Sequence, residues 1–444
     1  MVIHRVVPLL LILFLWTTQL SAWRMEADSI VVNNTVTHIN FRQSYETAPL
    51  VFILATDEGS DSATIRVNNI TTTGFDVYVV EPDGNNGPHE DMNAVPYIAI
   101  EEGNHEFPDG TKIVAQKIST NKFQSKFMSG TSWEAITLSG FNATPTVLGE
   151  IQTRNSERTD LVVPSAVSQP WVTTAISRVT SAGFSLAIER SEVSIGTLQS
   201  EDVAYLAIES GLNGGEHYFT SNGTGKIEYE SIRTSDSIRG WDNSTSGYTV
   251  NFSKTYTNPM VVANKNTRDG VDGGWLRRRN ISTSSISIAI DEDISHDTDR
   301  GHTHEIVGVL LFSEPFDMAF EEAIISLDKN SCVVSDVTNG VDKPKRIPSS
   351  TIRYAVEVKN EGASIATNVL LNDSLSSEFD ETSIKNLQIQ SGACDCLGVS
   401  SASNNGANGT ADGVSPIILD FGDVLGGSVA TPTKECGYFE VELR

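Results

Sequence analysis

The chain has 444 residues, enough for roughly two to four domains that each bury a core. Against 31 Lys and Arg stand 57 Asp and Glu, a net charge of −26, which repels phosphate backbones and anionic lipid headgroups and argues against nucleic acid as a partner. The same carboxylate surplus suits a solvated extracellular surface and leaves room for divalent cations such as calcium.

The first 22 residues read as a secretory signal: His4 and Arg5 give a positive start, Val6 to Trp16 an apolar run, and Ser21-Ala22 small residues for cleavage. That run is too short to span a bilayer, and no later stretch approaches roughly 20 continuous apolar residues. The mature chain is therefore expected to be secreted or held at the cell surface, without a membrane span.

Three segments then repeat one pattern. Thr37-His-Ile-Asn-Phe41, Glu134-Ala-Ile-Thr-Leu138 and Thr249-Val-Asn-Phe252 each precede a proline, Pro49, Pro145 and Pro259, that opens an apolar strand. A Thr/Ser/Gly turn and a second strand follow, ending at Glu81, Glu189 and Glu292; alternation places Phe75, Val77 and Val79 inward. The third copy carries Ser285-Ile286 where the others have Gly74-Phe75 and Gly183-Phe184. The closing strands begin at Val95, Val203 and Val307, each 19 to 21 residues after that inward Phe or Ile. Constant spacing means one fold used three times. Matching Gly-Thr links, Gly110-Thr111 and Gly223-Thr224, set the repeats at 23–109, 110–222 and 223–320.

From about residue 321 the pattern changes. Ile324 to Leu327, Thr351 to Val358, Ala366 to Leu371, Ile417 to Phe421 and Tyr438 to Leu443 alternate like strands of an immunoglobulin-type sandwich, spanning 321–444. All four cysteines lie here. Cys394 and Cys396 are too close to bridge each other without strain, so one is expected to reach Cys332 and one Cys436; a four-cysteine zinc site is the competing arrangement. The whole chain reads as all-β, tandem antiparallel sandwiches with little helix.

Phe41, Pro49, Thr73-Gly74-Phe75 and Tyr97-Ile-Ala-Ile-Glu101, with Pro145, Gly183-Phe184 and Tyr205-Leu-Ala-Ile-Glu209 in the second copy, give the repeats their resemblance to the H-type lectin domain, a six-stranded sandwich. The tail, through Cys332 to Gly340, Pro344 to Pro348, Thr351 to Val356 and Lys359 to Ala363, resembles the conserved-repeat immunoglobulin-like modules of bacterial surface proteins, which act as spacers. The lectin resemblance implies galactose or N-acetylgalactosamine binding, trimer formation and adhesion. The sequence departs from that family where the family carries a Trp-His pair: the nearest positions are Pro82-Asp83, Ser191-Glu192 and Asp293-Ile294.

The loop before each closing strand is the natural place for a ligand, since rigid strands carry it. In copy one it holds Asp83, Asn85, His89 and Glu90, candidates for hydrogen-bonding a sugar; in copy three it holds Asp293, His302, His304 and Glu305, candidates for calcium or a transition metal. Solvated turns are the bland reading of both. Trp275-Leu-Arg277-Arg278-Arg279 is the basic cluster; Arg277 and Arg279 either clasp an acidic sugar or pair with neighbouring carboxylates. No GxSxG, HExxH or phosphate-loop string occurs, so the chain is not expected to be an enzyme. Two roles remain: an adhesin that binds glycans through repeated modules, or a structural subunit that self-associates through edge strands.

Overall fold

The computed structural model describes residues 23–444 except 83–88, 108, 157–170, 191, 193–196, 220–224, 295, 321–323, 363–365, 393, 398–415 and 426–431. The signal segment therefore lies outside the described residues. The described chain is all-β, without an α-helix and with one 3-10 turn at Trp241–Asn243. It forms two compact units, Trp23–Ala319 and Phe320–Arg444.

Module one of the first unit contains β1 (Trp23–Val32), β2 (Thr37–Asn40), β3 (Leu50–Ile53), β4 (Ala55–Thr56), β5 (Thr64–Asn68), β6 (Gly74–Val80) and β7 (Met92–Ile100), followed by a link strand, β8 (Gly103–Glu106). Module two has β9 (Lys112–Thr120), β10 (Phe123–Gln124), β11 (Glu134–Thr137), β12 (Pro145–Ile151), β13 (Thr173–Thr180), β14 (Gly183–Glu189) and β15 (Glu201–Glu209), then the link β16 (Leu212–Phe219). Module three has β17 (Gly225–Arg233), β18 (Tyr248–Asn251), β19 (Met260–Lys265), β20 (Trp275–Ile281), β21 (Ser285–Asp291) and β22 (Val307–Phe312), then β23 (Phe316–Phe320).

Each module stacks two sheets. One carries the first strand, the closing strand and the proline-led strand: β1-β7-β3, β9-β15-β12 and β17-β22-β19; the other pairs β2-β6-β5, β11-β14-β13 and β18-β21-β20. Alternation sends Phe75, Val77 and Val79, Phe184, Leu186 and Ile188, and Ile286, Ile288 and Ile290 into the buried interior between them. Burial of such side chains at about 25 cal/mol per Å² is the main force holding each sandwich. The turn glycines are steric requirements: a Cβ on Gly74 would sit 2.2 Å from Ile39 O, and one on Gly183, whose φ is +147°, 2.0 Å from Ile136 O.

The three modules close on one another. The link β8 leaves module one and pairs with β9 of module two; β16 leaves module two and pairs with β17 of module three; β23 leaves module three and pairs with β1 of module one. Arg24 donates to Asp317 at 2.5 Å across that last closure. The proline-led strands β3, β12 and β19 form the opposite edge of their sheets, and there side-chain amides replace a missing strand partner. Gln152 accepts from Val51 N at 2.9 Å and donates to Val51 O at 2.8 Å; Asn266 does the same to Val147, at 3.1 and 2.6 Å. Both amides stand seven residues past their proline. The equivalent residue in copy one is Thr56, and here β4 instead pairs in parallel with β20 of module three.

The second unit packs a four-stranded sheet, β24 (Ile325–Ser335), β25 (Thr351–Asn360), β29 (Thr433–Leu443) and β27 (Phe379–Ser391), against the pair β26 (Ala366–Asp373) and β28 (Ile417–Val424). Val356, Val358, Leu371, Leu419, Phe439 and Val441 fill the space between them. Cys332 bonds to Cys396 and Cys394 to Cys436, so the neighbouring cysteines do reach different partners and the zinc alternative has no free thiolate.

Removing the amide of Gln152 tests the closure. Gln152→Ala leaves the buried N–H and C=O of Val51 without partners and is expected to cost about 2 kcal/mol, read as a lower urea midpoint with little change in slope. An unchanged midpoint would show that the modules do not meet at this edge.

Candidate functional site

Several of the buried charged side chains of the first unit lie at the seams between modules. Each module sends the loop that follows its proline-led strand onto a neighbour. In module three, Arg268 closes on the buried Glu189 of module two, Nε to Oε2 at 2.5 Å and Nη2 to Oε1 at 3.2 Å. The Arg154 guanidinium of module two lies 5.5 Å from the Tyr78 ring centre of module one. The loop of module one is held by module three through Arg277.

Arg277 is fully buried. It donates to Thr56 O, Asp61 O and Glu58 O, each at 2.8 to 2.9 Å, and to Asp291 Oδ2 at 2.9 Å. Arg278 donates to Ala94 O at 2.9 Å and Asn93 O at 3.2 Å, while Arg279 stacks on Trp241 and donates to Trp241 O at 2.9 Å. Arg300 lies over the same indole and donates to Asp291 Oδ1 at 2.6 Å. The basic cluster of β20 is thus spent on carbonyls, one aspartate and an indole within the protein, and Arg277 presents no face to a ligand.

The loop candidates divide. Asp83 and Asn85 lie outside the described residues. His89 is buried over Gly59, with Nδ1 2.8 Å from Glu90 O, and burial holds its pKa below the ordinary imidazole value; the Glu90 side chain is exposed. In module three, His302 lies between two carboxylates, Nε2 2.8 Å from Glu305 Oε1 and Nδ1 against Glu292 Oε1. Burial raises the Glu305 carboxyl, but Lys265, His302 and the Thr267 hydroxyl outweigh it and bring it down to about 2. Asp293 Oδ2 accepts from Glu192 N at 2.9 Å, and His304 is exposed. Of the four metal candidates His302 and Glu305 come together, and among the described residues no three His, Cys, Asp or Glu side chains are placed to hold a metal ion.

Two features escaped sequence reasoning. The first is an exposed aromatic pair where modules two and three meet: Phe127 and His296 stack with ring centres 3.7 Å apart and planes 19° from parallel. Lys126 lies 5.1 Å from the Phe127 ring centre, pairs with Asp272, and reaches Glu192 Oε1 at 3.4 Å. Glu192 Oε2 accepts from His296 N at 3.3 Å, which ties the module-three loop to module two. Burial, then the charges of Asp293 and Asp297, push the Glu192 carboxyl up. Phe127 and His296 belong to different repeats, so no local motif could have joined them.

The second is a cavity of about 40 Å³ where the three modules meet. Its wall includes Ile53 and Leu54, Gly149 and Glu150, and Ala263 and Asn264, the fourth and fifth residues past Pro49, Pro145 and Pro259. Equivalent residues of all three copies thus face one another around a common axis. Glu150 lines this cavity and is half-buried. Burial pushes its carboxyl up to about 8, against the pull of Arg66 and of the N–H groups of Ile151 and Ile53.

No family model matches the chain, and no solved structure matches it. Halomucin of Haloquadratum walsbyi is similar to it, 25% identical over 257 residues. That match takes in 56% of this chain and 2% of Halomucin.

A carboxyl raised in the folded state favours folding below the ordinary carboxyl range, and that contribution is lost as the pH rises towards about 8. Glu150→Gln keeps the shape and removes the titration. The melting temperature of the variant should therefore fall less than that of the wild type between pH 5 and pH 8; parallel curves would place Glu150 in contact with solvent.

Proposed function

We propose that the chain is an exported cell-surface protein whose ring of three lectin-like modules binds carbohydrate, with the C-terminal unit as a spacer. The observation that carries this reading is the Phe127–His296 pair. Sugar rings stack their apolar faces on exposed aromatics while their hydroxyls seek fixed polar groups, and here Lys126, Glu192 and Asp272 border the platform. The platform stands at a seam, where a loop from each of two sandwiches meets the other and Glu192 Oε2, accepting from His296 N, ties them together. Two disulfides and the export signal fit an oxidising extracellular setting. No helix among the described residues is long and apolar enough to cross a membrane.

A structural surface subunit is the second reading, favoured by how fully Arg277, Arg300, His302 and Glu305 are absorbed by contacts within the ring. A glycan array probed with the mature chain, in calcium and again in chelator, separates the two. Selective binding that drops about tenfold in Phe127→Ala, the loss of one aromatic contact, supports the lectin reading. Binding that survives the substitution moves the site elsewhere, and chelator sensitivity moves it to a cation. No binding under either condition, together with concentration-dependent association in sedimentation, supports the structural subunit.

A further inference from the structure

The C-terminal unit places a lysine where its strand calls for an apolar residue. Along β24, Ile325, Leu327 and Val333 pack against the core of the unit, and Lys329 falls on the same alternating face. From the facing pair of strands, Val369 and Leu371 of β26 are core residues, and Asp373, two positions on, is buried as well. Lys329 Nζ lies directly against Asp373 Oδ2, with the two side chains 16% and 2% exposed. The rings of Tyr354 and Phe439 flank the amine, their centres 4.5 and 5.6 Å from Nζ, and Asp373 Oδ1 is buried without a hydrogen-bond partner.

A charged pair in such a place is costly, since the attraction between the charges only partly offsets the loss of their hydration. A neutral amide would carry far less of that cost. We propose that Lys329 and Asp373 condense into an intramolecular amide that links the two sheets of this unit. One proton passes from Nζ to the carboxylate; the free-base Nζ adds to Cγ and hands a second proton to the departing hydroxyl; the Cγ–O bond breaks and the oxygen leaves as water. An Nζ–Cγ bond forms, and neither an oxidant nor any co-reactant is needed. The two aromatic rings keep out the water that would drive the reverse reaction. The link would join residues 44 positions apart, in a unit that already carries Cys332–Cys396 and Cys394–Cys436. Like those bridges, it would act by restricting the unfolded chain.

The test is a tryptic digest of the full chain with both disulfides reduced. A branched peptide is expected, joining the segment around Lys329 to the one containing Asp373, lighter than the sum of the two by one water, with no cleavage after Lys329. Lys329→Arg keeps a cation beside Asp373 but removes the nucleophilic amine, and should give linear peptides and a lower melting temperature. Asp373→Ala should also give only linear peptides. Linear wild-type peptides cut after Lys329 would overturn the proposal. Should either variant fail to fold, the wild-type digest decides alone.

Discussion

A β-sheet edge buried without a partner strand leaves N–H and C=O groups that neither water nor another strand satisfies. The three proline-led strands β3, β12 and β19 face that constraint together, because each is the inner edge of its sheet and all three turn towards one axis. The protein satisfies two of these edges with side-chain amides, Gln152 on Val51 and Asn266 on Val147, each supplying the donor and the acceptor that a strand would have supplied. At the third seam the amide is absent. There β4 pairs with β20, and Arg277 takes three carbonyls of the module-one loop. One repeat closes upon itself three times, and the place where its sequence diverges is the place where its chemistry does.

From this closure follows the fate of the charges. A chain with 57 acidic residues has many to leave in water, yet several are buried at seams and in module cores. Glu26 takes hydrogen bonds from Tyr97 OH and Arg42 N, Glu230 takes them from Tyr256 OH and Ser253 N, and in module two Tyr205 OH donates to Gln116. Such networks are stable when every member is satisfied and costly when one is lost. They act as registration devices between strands. The exposed Phe127–His296 pair differs in kind: it is solvent-facing and held from two modules.

Much of the fold was legible because period-two alternation and repeated spacing survive in the residues themselves. Phe75, Phe184 and Ile286 were placed inward from pattern alone, and all three are buried. The cysteines could be divided by distance along the chain. Three copies of a domain whose resemblance implies trimers left room for closure within one chain, but the strands that make it were not legible, since nothing in Phe316 to Phe320 announces that it pairs with a strand nearly three hundred residues earlier. The sites suffered most. Arg277 looks like a surface cation in a string of three arginines, but its environment is built by a loop of another module. His302 and Glu305 lie close in sequence and in space, yet they meet as a buried pair with Glu292 and not as ligands open to a cation.

Closure of the three modules into one ring is the claim on which the seams, the axial cavity and the aromatic platform all depend. Every cysteine is in a disulfide, so a spin label can be attached to single cysteines introduced at the exposed and equivalent turn residues Thr73, Ala182 and Ser284. Pairwise distances among these three positions are the direct test. A ring gives three distances of similar length. Modules strung in a line would give a distance from residue 73 to residue 284 about twice the other two, as follows from three equally spaced, extended modules, and that result would contradict the account.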